Sequence, residues 1–503
     1  MGFSCYFLLL PLMYAGFSAK LVVSKTRKGR YYGMAKAEPA QKKAARQLRE
    51  ARELKRRKKQ LGIKRPKGYL WYLLVILSIV YIVDEITSAM GSSMQSEVVT
   101  DFFVTGMGME YNDGLALFTA MGAPLYCAMI IMPFYKSLAD RFGRKLFLVI
   151  NTVGMGIGMG ICMIAGSPFI YLIGMLVINL VMYNDMQVIY VMECAPEKHR
   201  AKLTSLTKAV ALAGVTLIPI LRDTFMGDDG SQWRKVFMIP AAVAVVVGIA
   251  AIFLMDETPV FVAKRAAYLE MTDEERAAKA ISEKKAADES KGGVGRALKF
   301  IFSHKQIRAV AICAIVFMSA TGVTSYYESI MKTGGMSTSQ VTQAMYYIPF
   351  CNALMTAIGG FLTDGLGRKK SAVILSSVAF VGLAAFVLSS NFGISPVLVG
   401  ISYGFFIGGL WSVADMLCLI ISGESSPTHL RASVLGTMSL LSGLGSAVSG
   451  ISIAVGMLFV DSIGLLSLCI CAPFMLLAIF LLLTQVHETK GIDLNTVTGA
   501  EWD

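Results

Sequence analysis

Several stretches of this chain are apolar for longer than a soluble protein tolerates. Residues 69–83, 146–165, 239–255 and 465–483 contain no Asp, Glu, Lys or Arg. With their flanks each reaches the roughly 20 residues that an α-helix needs to cross a bilayer core. The 503 residues are 55% hydrophobic and only 16% charged, with a mean hydropathy of +0.60. A soluble surface demands more charge than that. The chain therefore reads as an all-α integral membrane protein with many spans.

Apolar runs and their charged breaks place twelve spans at 69–91, 113–135, 146–165, 168–191, 203–222, 236–255, 306–330, 341–362, 371–390, 394–420, 433–458 and 463–484. Basic residues collect in alternate breaks: Lys136, Arg141, Arg144 and Lys145, then Lys198, Arg200 and Lys202, then Arg368 to Lys370, then Arg431. The other breaks are short or acidic, with Glu97, Asp101, Glu110 and Asp461. After span five Arg222, Arg234 and Lys235 offset Asp223, Asp228 and Asp229. The excess of Lys and Arg marks the cytoplasmic side, which then also holds both the basic amino-terminal tail and the carboxyl terminus, 485–503, in a plasma-membrane protein.

The net charge of +13 is unevenly placed. Residues 20–67 carry nineteen Lys and Arg against three Glu, a local excess of +16. Within this tail, 41–60 is expected to form a helix drawn to anionic lipid headgroups. No aromatics interleave with the charges, so nucleic acid is not an expected partner. Upstream, residues 3–19 are apolar but lack a basic leader region and a cleavage site. Two readings stand for 1–33: a thirteenth span, or a segment ahead of a start at Met34. The nine cysteines lie mostly within apolar runs, without metal-ligand spacing, and read as small core residues.

The longest break, 256–305, is charged and helix-forming, a solvated linker that divides the chain into six-span halves, 69–255 and 306–484. The halves repeat two motifs. D-R-F-G-R-K (140–145) and D-G-L-G-R-K (364–369) each follow the second span of their half. E-C-A-P-E-K-H-R (193–200) and E-S-S-P-T-H-L-R (424–431) each follow the fourth. Duplicated helical bundles around a midplane site are the architecture of many secondary transporters.

With these motifs on view, the chain resembles the major facilitator superfamily over roughly residues 70–495, and within it is similar to the sugar porters. D-E-T-P-V-F-V (256–262) resembles that branch's P-E-S-P-R-W-L, and H-E-T-K-G-I-D-L (487–494) its P-E-T-K-G-x-x-L. Y-V-M-E-C-A-P-E-K-H-R (190–200) resembles Y-x-x-E-x-A-P-x-x-x-R-G, and V-D-E-I-T (83–87) stands where the branch has G-Y-D-x-G. The resemblance implies two pseudo-symmetric six-helix bundles, alternating access, and a cavity lined by spans one, four, seven and ten. The pattern is broken in span seven: Q-Q-x-x-G-x-N is replaced by M-S-A-T-G-V-T (318–324), without the amides that bond sugar hydroxyls. The branch's span-four arginine is also missing, with Met175 in its region, and Lys136 stands where the pattern, like Gly360 in the second copy, has glycine. A hexose is therefore not the leading cargo.

The duplicated turns have a topological reading, as markers of the cytoplasmic side. They also have a mechanical one, as a latch between the halves. In that latch Asp140 accepts hydrogen bonds from the N–H groups opening the next helix and from Arg144, with Gly143 permitting the turn. Glu193, Arg200, Asp364, Gly367, Arg368, Glu424 and Arg431 are its other members. Acids inside spans are costly and mark function by default. Here they are Asp84, Glu85, Asp185, Glu328 and Asp415, with Asn184, Tyr326, Tyr327, Asn352 and Trp411 as further lining. Asp185 and Asp415 lie ~12–14 Å from the cytoplasmic end at 1.5 Å per residue. Almost no basic residue shares the depth of these acids, Arg222 at the outer end of span five being the only candidate, so they read as carboxylates that take up a proton or await a cation.

The leading expectation is a transporter of a small organic solute, acting as a monomer and driven by the proton gradient, with no cofactor or metal. An organic cation transporter or exchanger and a sugar or polyol facilitator are alternatives. A transporter-like receptor is disfavoured by the lack of any additional folded domain in the loops. An ATP-driven pump or an enzyme is disfavoured because no G-x-x-x-x-G-K-[ST] occurs and the four histidines do not cluster.

Overall fold

A computed structural model of the chain describes residues 40–62, 68–122, 138–139, 142–182, 186–196, 200–227, 229–276, 293–427 and 430–492, with a few isolated positions besides. The chain divides at Arg56 into two compact units. Ahead of that point lies most of a strongly basic helix, Ala40–Leu61, where the sequence predicts one. The apolar segment 1–33 lies outside the described residues. The second unit, 57–503, is the membrane-spanning body.

Among the described residues ten helices are long and apolar enough to cross a bilayer, and no strand occurs. Two expected spans are not among the ten, for different reasons. Span two is described only as Tyr111–Gly122, because its remainder lies outside the described residues. Span five is broken into Arg200–Gly214 and Leu217–Phe225. Gly214 packs so closely on span one that an added Cβ would stand 2.6 Å from Ile82 Cγ2.

Three other spans depart from regular helix. Span one runs Tyr69–Ser93, kinks at Met94, resumes as Gln95–Val99 and widens to a π-type turn over Thr100–Thr105. Span seven tightens from Lys305–Phe317 into a 3-10 stretch, Met318–Ser325, and restarts as Tyr327–Thr333. Span ten, Pro396–Asp415, widens over Met416–Ile421. Irregular backbone at membrane depth persists only where protein or a cavity satisfies its polar groups, and π-type turns recur at functional sites. The M-S-A-T-G-V-T departure in the sequence is thus also a departure in helix type.

The G-R-K turns and the ends of the even-numbered spans share one face of the body, here termed the basic face. At the opposite face of the first half an aromatic cluster closes the core. Fully buried Trp233 meets Phe102, Tyr171 and Phe237 edge to face, with ring centroids 5.8, 5.7 and 6.1 Å away. Arg234 lies over the Trp233 ring and pairs with Asp101 at 2.8 Å, so its charge is answered from span one rather than by its neighbours in sequence. Removing this aromatic body leaves a large cavity. Trp233→Ala is expected to cost ~3–5 kcal/mol, seen as a lower melting temperature in detergent, and Trp233→Phe clearly less.

Candidate functional site

The basic face carries the same structure twice. In the first half the helix Arg144–Met163 begins at Gly143, whose φ of +116° favours glycine. The N–H groups of Arg144 and Lys145 donate to one carboxylate oxygen, Glu257 Oε1, at 3.0 and 3.1 Å. The Arg144 guanidinium donates to Glu193 at 3.2 Å and to the Ala139 carbonyl at 3.0 Å. Thr258 closes the ring by donating to Glu193. In the second half Gly367 has φ +97°. Arg368 N and Lys369 N donate to Glu488 at 2.7 and 3.1 Å, Arg368 holds Glu424 at 3.0 and 3.1 Å, and Thr489 donates to Glu424.

These contacts correct the expected latch in two respects. In the second copy the motif's acid, Asp364, does not cap the helix, and in both copies a carboxylate from elsewhere in the chain accepts from the N–H groups of the helix start. It is the Glu of an E-T pair that follows the sixth span of each half, Glu257-Thr258 and Glu488-Thr489. Asp364 is 89% exposed, 3.7 Å from Arg368, and Asp140 lies outside the described residues. The described ring contacts also join helices of one half rather than the two halves. The reason is topological: the third span of a half starts on this face, and the fourth and sixth end on it. Arg431 donates to the carbonyls of Gly423 and Ser426 beside its own helix start, and the Arg200 side chain lies outside the described residues. Lys136 does too, but its counterpart Gly360 has open space around an added Cβ, so the pattern's glycine is not needed for packing there.

The acids deeper in the body have separate surroundings. Asp84 is buried, and its carboxylate accepts from the Gln187 amide of span four at 3.0 Å. It stands about 22 Å along its helix from Tyr69. Glu85 is half-buried. Asp415, at the edge of the widened turn in span ten, is exposed and close enough to Lys208 of span five for their charges to interact. Trp411, one turn away, is 46% exposed, and Asn352 is half-buried. Asn184 and Asp185 lie outside the described residues.

Glu328 belongs to neither group. Fully buried, it lies near the face opposite the basic one, where it accepts from Arg222 at 2.7 Å and from the Ser96 N–H at 2.8 Å. Arg222 also reaches Glu97 at 3.0 Å. Asp223, its neighbour in sequence, instead accepts from Tyr346 at 2.6 Å. Tyr327 shares a 2.7 Å hydrogen bond with Ser93 and stacks on Tyr403 with centroids 4.7 Å apart. Tyr326 is buried in the same core. These tyrosines therefore pack the closed side of the body.

Sequence reasoning missed Glu257, Thr258, Glu488, Thr489, Gln187, Lys208, Glu97 and Lys332. A signal existed for the first four: E-T after the sixth and the twelfth span is a third repeated motif at equivalent positions. Lys208 was also visible, as the sole charge inside 203–221.

Comparison with known proteins agrees with this construction. A family model for the Major Facilitator Superfamily matches residues 73–450. The glucose transporter GlcP of Staphylococcus epidermidis is 23% identical over 336 residues, 62% of this chain and 72% of its own length. The probable metabolite transport protein CsbC of Bacillus subtilis is 22% identical, covering 72% and 81%. Among solved structures, the inward open conformation of the xylose transporter XylE from E. coli superposes with a TM-score of 0.62 at 16% identity, over 85% of this chain and 99% of that one. At that identity the likeness is one of fold. A membrane body of helical halves with duplicated charged turns defines a multi-pass transporter, not an enzyme. The chain belongs to the major facilitator superfamily and is similar to its sugar porters.

Two measurements test the basic-face geometry. A Cβ on Gly367 would stand 2.5 Å from Glu488 Oε2. Gly367→Ala is therefore expected to cost roughly 1–3 kcal/mol, and Gly360→Ala less than about 0.5, compared by thermal unfolding. Burial alone would raise the Glu488 carboxyl, but the N–H groups of Arg368, Lys490, Lys369 and Thr489 outweigh it and hold it below its ordinary value of 4.5. The ionised carboxylate thus stabilises the fold above that ordinary value, and its contribution is lost as pH falls through the lower folded one. The melting temperature should drop on acidification below pH 4.5, and drop less in Glu488→Gln.

Proposed function

We propose that this transporter moves a small polar organic solute by alternating access, coupled to protons. The observation that carries the reading is Asp84, a buried carboxyl deep in span one, hydrogen-bonded by a neutral amide. An amide can donate to the ionised carboxylate and accept from the protonated acid, so Gln187 can hold Asp84 in either state. A carboxyl so placed changes protonation with its access to one side or the other, which is the requirement for coupling. Spans one, seven and ten are irregular, and broken spans commonly supply the ends and carbonyls that bind cargo.

Lys208 and Asp415 belong to opposite halves and lie at similar depth from the basic face. Exposed charges of both signs within reach of each other favour a cargo with polar groups of both kinds, such as a zwitterion, over a simple cation. A sugar or polyol is the second reading. It is favoured by relatives named as a glucose transporter and a proton myo-inositol cotransporter and by the structure titled as a proton:xylose symporter, with a TM-score of 0.58. In this reading the basic face is cytoplasmic, the chain works as a monomer in the plasma membrane, and the helix Ala40–Leu61 rests on anionic lipid headgroups.

Purified protein in liposomes tests the proposal. Uptake from a panel of amino acids, sugars and polyols should rise when an inward proton gradient is imposed. Asp84→Asn should abolish gradient-driven accumulation while leaving exchange of the same cargo across equal pH. Accumulation that ignores the gradient, or an Asp84→Asn variant that concentrates cargo normally, removes the proton coupling. No flux of any panel member removes the cargo class.

A further inference from the structure

Arg222 is fully buried, yet the charges around it come from both halves. On its own side stands Glu97, in span one past the kink, 3.0 Å from Nη2. Across the seam stands Glu328 of span seven, 2.7 Å from Nη1. Arg222 Nε donates to Thr342 Oγ1 at 3.1 Å, also across the seam, and Nη1 donates to the Ser93 carbonyl on its own side. A fourth charge completes the set: Lys332 Nζ lies 3.6 Å from Glu97 Oε1. Two carboxylates and two cations thus meet where the halves touch, and two of their ion pairs, Arg222 with Glu328 and Lys332 with Glu97, cross the seam. Other contacts across the seam gather at the same face: Tyr111 donates to Ser329 Oγ at 2.9 Å, Ser329 to Gln95 Oε1 at 3.0 Å, and Asn112 to the Asp461 carbonyl at 3.1 Å.

Opening this face would break the seam pairs. Stripping a buried charge of its partner costs several kcal/mol, enough to lock a transporter shut. The composition of each half removes that obstacle. Arg222 and Glu97 both belong to the first half and are already in contact. Glu328 and Lys332 both belong to the second, four residues apart on the helix Tyr327–Thr333, the spacing at which helical side chains pair. We propose that these four residues form a charge-exchange gate. Closed, Arg222 binds Glu328 and Lys332 binds Glu97 across the seam. Open, Arg222 keeps Glu97, and Glu328 takes Lys332. No charge is left alone in either state, so the two states stay close in energy, as a bistable element needs.

The exchange rests on alternating access and makes a prediction that a static latch does not. Lys332→Met removes one seam contact, so a static latch would loosen. In the exchange it removes the open-state partner of Glu328, and the closed state gains. Paramagnetic labels carried on an encoded ketone residue at exposed Met107 and Phe392, one in each half, report the opening by pulsed dipolar spectroscopy. The expected result is a fall in the open population of at least about tenfold in Lys332→Met, with a rise in Glu328→Gln, which removes the seam pair. An unchanged or larger open population in Lys332→Met overturns the exchange, as does a Glu328→Gln variant that opens no more than the wild type. A wild type with a single distance under all conditions overturns alternating access itself. Two wild-type distances with unresponsive variants overturn the exchange alone.

Discussion

In a hydrocarbon environment an ionised side chain must carry its counter-charge or its hydrogen-bond donors with it, because no water is present to replace them. The polar architecture of this transporter follows from that constraint. The Arg144 guanidinium is answered by Glu193, that of Arg368 by Glu424, and that of Arg222 by Glu97 and Glu328. Asp84 is answered by an amide. What differs among them is whether the answering group lies in the same half of the molecule, and this difference separates parts that hold shape from parts that can move.

At the basic face the answer lies within the half. A carboxylate seated on two backbone N–H groups at a helix start satisfies donors that the helix itself cannot. The threonine beside it locks the next carboxylate in line. Such rings tie the third, fourth and sixth spans of a half into one body, suited to moving as a unit. At the opposite face the charges of one half are answered partly by the other. There the seam is polar, buried and made of short contacts, so whichever state the halves adopt must account for those charges.

Much of this was legible in the sequence. Length and polarity of the apolar runs set the spans, because a bilayer accepts little else. The duplicated G-R-K and E-x-x-P motifs marked equivalent positions in two halves, and the structure joins Arg144 to Glu193 and Arg368 to Glu424 at those positions. What escaped the sequence was a capping acid supplied from far along the chain. Asp140 and Asp364 are close to the helix start in sequence, whereas Glu257 and Glu488 arrive from more than a hundred residues away. Proximity along the chain was a poor guide because a carboxylate brought by another helix end can seat on the same free N–H groups as one from the preceding turn. The partners of Glu328 were illegible for a related reason. Its depth in span seven could be counted, but the kink at Met94 that brings Ser96 and Glu97 to it could not.

Sequence alone determined that the chain spans a membrane many times, which face carries the basic loops, and that the molecule is a duplicated bundle. Those properties depend on local composition and periodicity, which each segment expresses by itself. Only the tertiary structure decided which carboxylate meets which cation. Pairing depends on where helix ends converge in space, and on breaks in spans one, five, seven and ten that no proline inside those breaks announces. The four charges at the seam are spread from Glu97 to Lys332, and nothing in their spacing announces that they share one buried site.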